Sequence, residues 1–112
     1  MTIQETQHNE VIVLSVSGEL MGGPEALELN EKMNQLLDDG RKKVVLDLHG
    51  LERMNSSGLG IMINALGNFK QNGGDLKLAA LNPRIEHLLK VTRLTSIFEV
   101  YDTVSAAIAS FS

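Results

Sequence analysis

Val44-Val45-Leu46-Asp47-Leu48 is an apolar run with a segment of helical period on either side. A strand that is apolar at successive positions is buried on both faces, which happens where helices cover a sheet. On the N-terminal side, Ala26, Leu29, Met33, Leu36 and Leu37 recur at helical spacing after Gly22-Gly23-Pro24-Glu25. Proline suits the first helical position, because the N–H it lacks would have had no partner there. Gly40 is placed to stop this helix, and Asp38 and Asp39, unfavourable at its negative end, are expected to be exposed. On the C-terminal side, Leu59, Met62, Ile63, Leu66 and Phe69 repeat the helical period after a polar loop. The run is thereby predicted to be a central strand of a layered α/β domain.

The remaining segments fit that frame. Residues 3–6 form a weak first strand and residues 11–17 a strong second one, with Ile12, Leu14 and Val16 on one face and Val11 and Val13 on the other. The short turn His8-Asn9-Glu10 between them makes an antiparallel hairpin, and Gly18 is expected to end the second strand. Gln71-Asn72-Gly73-Gly74-Asp75 is a turn, residues 76–81 a strand, and Asn82-Pro83 a capped helix start before Ile85, Leu88 and Leu89. Residues 97–100 make a last short strand. Asp102 is expected to cap a final helix carrying Val104, Ala107, Ile108 and Phe111. The predicted order is β-β-α-β-α-β-α-β-α, a mixed sheet with an N-terminal hairpin and about four helices, spanning residues 1–112 as one domain. Strands separated by helices are most simply parallel, joined by right-handed crossovers.

Composition narrows the chemistry. With 112 residues, of which 43% are hydrophobic, the chain can bury a core without staples. It has no cysteine, which excludes disulfides, zinc thiolate sites and thiol catalysis. Ten Lys and Arg stand against 14 Asp and Glu, giving a net charge of −4. A phosphate-backbone surface needs clustered cations. The one cluster, Arg41-Lys42-Lys43, has the pattern of a solvated turn before a strand, so no direct nucleic-acid partner is expected. No run is long enough for a membrane span and the N-terminus lacks the pattern of a signal peptide, so the expected location is cytoplasmic, with no membrane partner. His8, His49 and His87 form no ligand pair at a familiar spacing, and no phosphate-binding glycine motif is present. No metal and no cofactor are expected.

The segment Asn55-Ser56-Ser57-Gly58-Leu59-Gly60 carries the functional signal. It is no nucleophile elbow, because that motif needs glycine two residues before the serine, and Met54 and Asn55 stand there. With neither a triad nor a metal constellation, no catalytic residues are assigned and the chain is expected not to be an enzyme. As a helix start the segment is adequate, but glycine in a helix costs about 1 kcal/mol relative to alanine. Two of them in the first turn leave a flat surface beside a hydroxyl, open to a partner's backbone or a kinase.

In this segment and two others the chain resembles the bacterial anti-sigma factor antagonists, whose fold is the STAS domain. That family has a strand ending in Asp-Leu, a loop, and then Asp-Ser-Ser/Thr-Gly-Leu-Gly at a helix start. Asp47-Leu48 and Asn55-Ser56-Ser57-Gly58-Leu59-Gly60 match it here. Gly18-Glu19-Leu20-Met21 is similar to the family's Gly-Glu-Leu-Asp, and Gly73-Gly74 to its glycine turn. The resemblance implies a binding switch. The unmodified antagonist binds an anti-sigma factor that is also a serine kinase and so frees a sigma factor. Phosphorylation of the motif serine ends the complex, and a phosphatase resets it. By position that serine is Ser56, with Ser57 as the fallback. The implied partner surface comprises Leu20, Met21 and Gly22 with Asn55, Ser56, Ser57, Gly58 and Leu59, and the expected state is a monomer or weak dimer. Asn55 and Met21 stand where the family has acids. The same fold also serves as a small subunit of lipid-transport ABC complexes and in cytoplasmic signalling scaffolds, which is the alternative setting.

Overall fold

The computed structural model describes residues 1–112. Two strands, β1 (Thr2–His8) and β2 (Val11–Leu20), form the predicted antiparallel hairpin, turning at Asn9-Glu10. Helix α1 (Gly23–Asp38) follows, then β3 (Lys43–Asp47), β4 (Leu51–Met54) and α2 (Ser56–Gln71). The chain closes with β5 (Asp75–Ala79), α3 (Pro83–Val91), a 3-10 turn (Leu94–Ser96), β6 (Val100–Tyr101) and α4 (Val104–Ala109). The fold class is as expected, a mixed α/β sheet with an N-terminal hairpin and four helices. The sheet runs β1-β2-β3-β5-β6, and all its pairs except the hairpin are parallel.

One strand was not expected. β4 lies in the stretch predicted to be a loop and pairs in parallel with the far end of β2, beyond the point where β3 stops. β2 therefore does not end at Gly18. The register shifts between Gly18 and Glu19, and Gly18 has φ +99°, the left-handed side of backbone space that glycine tolerates. The bulge turns the strand so that its first half meets β3 and its last residues meet β4. Its Gly18 N–H is satisfied by Gly50 O at 3.0 Å.

The two faces of the sheet bury two clusters, as the alternation in β2 predicts. Ile12, Leu14 and Val16 join the main core under α1, α2 and α3, together with Val44, Leu46, Leu76 and Leu78. Val11 and Val13 face the other way and pack with Val45, Ala79 and Ala107 under α4. Asp38 and Asp39 are exposed at the end of α1, as expected. Two local details differ from expectation. The last strand is shorter and later than residues 97–100, because Phe98 is buried in the main core and a 3-10 turn precedes it. The cap of α4 is Thr103, whose Oγ1 accepts from Ala106 N–H at 3.1 Å, and not Asp102.

A six-residue helix has no stability of its own. α4 is held by Ala107, by the half-buried Val104, Ile108 and Phe111, and by Lys77, the one charged residue inside the protein. Lys77 Nζ donates to Ser110 Oγ at 2.8 Å and sits 4.1 Å from the centre of the Phe111 ring. Glu99 Oε1 lies 3.6 Å from the same ammonium and accepts from the Tyr101 hydroxyl at 2.6 Å. That hydrogen bond, opposed by burial and aided by Lys77, holds the Glu99 carboxyl below the usual carboxylate range. A carboxyl whose folded pKa is lowered adds stability that is full at neutral pH and is lost as pH falls through the folded value. Glu99 is largely exposed, so the effect is under about 1 kcal/mol. Acid titration followed by fluorescence of Tyr101, the one tyrosine in a chain without tryptophan, is expected to show a loss of stability that is smaller in Glu99→Gln. An identical acid response in both proteins would remove Glu99 from the clamp.

Candidate functional site

β4 exists for four residues and then delivers the chain to the start of α2, beside the end of β2. Its pairing sets Glu19 opposite Arg53 and Leu20 opposite Met54. Glu19 and Arg53 form an ion pair, with Arg53 Nε donating to Glu19 Oε2 at 2.6 Å. The loop Met21-Gly22 leaving β2 and the first turn of α2 thus emerge side by side.

Asn55 joins them. It has the extended backbone of a helix cap, φ −110°, and its Oδ1 accepts from Gly58 N–H at 3.1 Å. Its Nδ2 donates to Met21 O at 2.7 Å, and its own N–H donates to Leu20 O at 3.3 Å. An amide side chain can do both, since one end accepts and the other donates. Two glycines let the segments close up. A Cβ on Gly58 would stand 2.5 Å from Leu20 O, a contact no side chain can make. A Cβ on Gly22 would stand 3.2 Å from Ser57 Cβ, so the loop lies against that serine.

The surface that results is small and uncharged. Ser56, Ser57, Met21 and Gly60 are exposed, and Gly22 and Asn55 are half-buried. Neither serine hydroxyl is engaged within the chain, whose local hydrogen bonds run through Asn55. The first turn of α2 has no acidic residue, so the positive end of the helix dipole has no neighbouring carboxylate on its own helix. No cluster of three or more His, Asp or Glu side chains is arranged to hold a metal ion, and no helix is long and apolar enough to cross a membrane.

Of the residues expected on the partner surface, three are not on it. Leu20 is 0% exposed and Leu59 5%, both within the main core, and Gly58 is buried against Leu20 and Met54. They brace the surface from beneath. A contact with a partner through Leu59 is therefore corrected: an arginine there would strike the core and unfold the protein. Ile63, expected on the buried stripe of α2, is 40% exposed, and the small residues Gly58 and Ala65 take part in the buried face instead.

The family model of the STAS domain matches residues 2–107. A Thermotoga maritima protein provisionally named an anti-sigma factor antagonist is 30% identical over 99 residues, covering 88% of each chain. The anti-sigma F factor antagonist of Paenibacillus polymyxa is 28% identical over 107 residues, which is 91% of this chain and 87% of that one. The crystal structure of an anti-sigma factor antagonist from Mycobacterium paratuberculosis superposes with a TM-score of 0.86 at 27% identity, covering 97% of this chain and 92% of its own.

The packing predicts opposite signs for two neighbouring glycines. Gly58→Ala is expected to destabilise by about 1–3 kcal/mol, as overpacking does. A Cβ on Gly60 meets nothing within 4 Å, so Gly60→Ala is expected to stabilise by about 0.5–1 kcal/mol through helix propensity. Urea unfolding of the two variants checks this; equal effects would mean that α2 does not press on β2 at Gly58.

Proposed function

The chain belongs to the STAS family, and on that premise we propose that it is an anti-sigma factor antagonist switched by phosphorylation of Ser56. The named role of its relatives is binding and not turnover, and the chain is a regulatory binding protein, not an enzyme. The observation that carries the proposal is the Asn55 bridge to Met21 O and Gly58 N, which brings a free serine at a helix start together with the loop after β2.

In the unmodified state, Met21, Gly22, Asn55, Ser56 and Ser57 offer an anti-sigma factor a neutral surface, with free hydroxyls and little side-chain bulk. The anti-sigma factor, itself a serine kinase, transfers a phosphoryl group from ATP to Ser56 Oγ, which gives up its proton. Ser56 is favoured over Ser57 because the Gly22 loop lies against Ser57. The phosphate adds roughly −1.5 to −2 charges. At the helix N-terminus it meets free N–H groups and the dipole, a gain of about 0.3–1 kcal/mol, and neither Asn55 nor Met21 repels it. The modified protein therefore stays folded. The cost falls on the complex, where the charge must be desolvated against a surface shaped for a hydroxyl. An unpaired charge at an interface costs several kcal/mol. A phosphatase returns the protein to its binding form.

The test is binding and labelling with the kinase-type anti-sigma factor. Ser56→Asp is expected to weaken the complex by about 100-fold or more, the equivalent of ~3 kcal/mol, with little change in melting temperature. Ser56→Ala is expected to bind and to accept no phosphate. Phosphate found on Ser57 of the unaltered protein, or unchanged binding by Ser56→Asp, would contradict the proposal.

A further inference from the structure

Beside the proposed switch surface, an apolar groove of about 260 Å³ opens between the end of β4 and α3. Its floor is Met54, Ile85 and Leu88, and its upper rim is Met21 and Val91, which are 43% and 60% exposed. Scattered exposed apolar residues are ordinary, but these two flank one cavity whose floor is also apolar. The groove is smaller than the roughly 300–1,000 Å³ of a small-molecule site, so it fits a side chain or two rather than a cofactor. Its polar lining is Arg53, Arg84 and His87, with no acid. Arg53 is answered by Glu19, whereas Arg84 and His87 enter no ion pair. In a chain of net charge −4 this is a local reversal of sign around an apolar slot.

The groove also adjoins the switch surface. Met21 lines it, and Met21 O is the atom that Asn55 holds. A partner seated on Ser56 and the Gly22 loop has this groove at its edge.

We infer that the groove seats an apolar side chain of the partner protein that is flanked by carboxylates, so that Met21 and Arg84 select which anti-sigma factor is bound. The inference rests on the proposed function for the identity of the partner, and on charge complementarity for the chemistry of the segment. Apolar burial supplies the anchor, and Arg84 pairs with acids beside it while rejecting basic segments. The fully buried Ile85 at the base fixes the shape of the slot; the exposed Met21, Val91 and Arg84 can change without touching the core.

The inference can be tested without the anti-sigma factor. The probe is a helical peptide with two leucines one turn apart flanked by glutamates, with a second peptide bearing lysines in place of the glutamates. Each is titrated into protein carrying labelled methyl groups. The acidic peptide is expected to give saturable shifts at Met21, Met54, Leu88 and Val91, and the basic peptide to bind at least tenfold more weakly. Arg84→Glu is expected to reverse that preference. It adds an acid to the first turn of α3, where the helix dipole favours one, so the variant folds. Ser56→Asp is expected to leave the titration unchanged, which separates the groove from the switch. If Ser56→Asp fails to release the anti-sigma factor while the groove still selects the acidic peptide, the switch is wrong and the groove stands. Equal response to both peptides, or no saturable shift at Met21, Met54, Leu88 and Val91, would overturn the groove and leave the switch intact. Concentration-dependent shifts at the groove without peptide would assign it to a second copy of this chain and also overturn the inference.

Discussion

A single side-chain amide, that of Asn55, ties together the two segments on which the rest of the surface depends. Its oxygen caps α2 at Gly58 N–H and its nitrogen holds Met21 O. An aspartate could cap the helix equally well but could not donate to a carbonyl; its second oxygen would face Met21 O instead. In place of the family's acid, this chain therefore has a link between loop and helix. The bare backbone of Gly58 completes the junction by letting α2 approach Leu20 O. Together they bring Met21 and Ser56, distant in sequence, onto one surface.

The junction is stiff because β2 is. That strand has β1 along one side, and β3 and then β4 along the other. Its first half is buried on both faces, and Leu20 at its far end is inaccessible. A loop leaving such a strand and a helix capped against it have little freedom to rearrange. This is why the proposed phosphate acts on the partner and not on the fold: the helix start already offers N–H groups to an anion, and no packed side chain has to move to admit one.

The sheet was legible where burial is two-sided. Val44, Val45 and Leu46 are all fully buried, so a run without alternation marked the centre of the fold. β4 was not legible, because only its first and last residues, Leu51 and Met54, are buried; such a pattern has no period of two. Gly18 marks a bulge within β2 and not its end, because its positive φ lets the strand shift register and continue. In α2, Leu59, Met62, Leu66 and Phe69 are buried as their spacing predicts, but Gly58 and Ala65 join them without being strongly hydrophobic, and Ile63 is left outside. At the site, the cap and the free serine could be seen in the local sequence. The meeting of Ser56 with the Met21 loop could not, because it depends on β4 pairing with β2; only the family resemblance suggested it. Nor could sequence show that Leu20 and Leu59 turn inward, since a leucine beside a helix start fits either side.

The rigid platform is tested most directly by amide NMR spectra of the protein before and after stoichiometric phosphorylation of Ser56. Shifts are expected only in residues 20–23 and 55–60, with signals of the β3 and β5 core unchanged. Changes running through Val44, Leu46, Leu76 and Leu78, or a general loss of dispersion, would mean that phosphate acts by remodelling the fold and would contradict a switch confined to the surface.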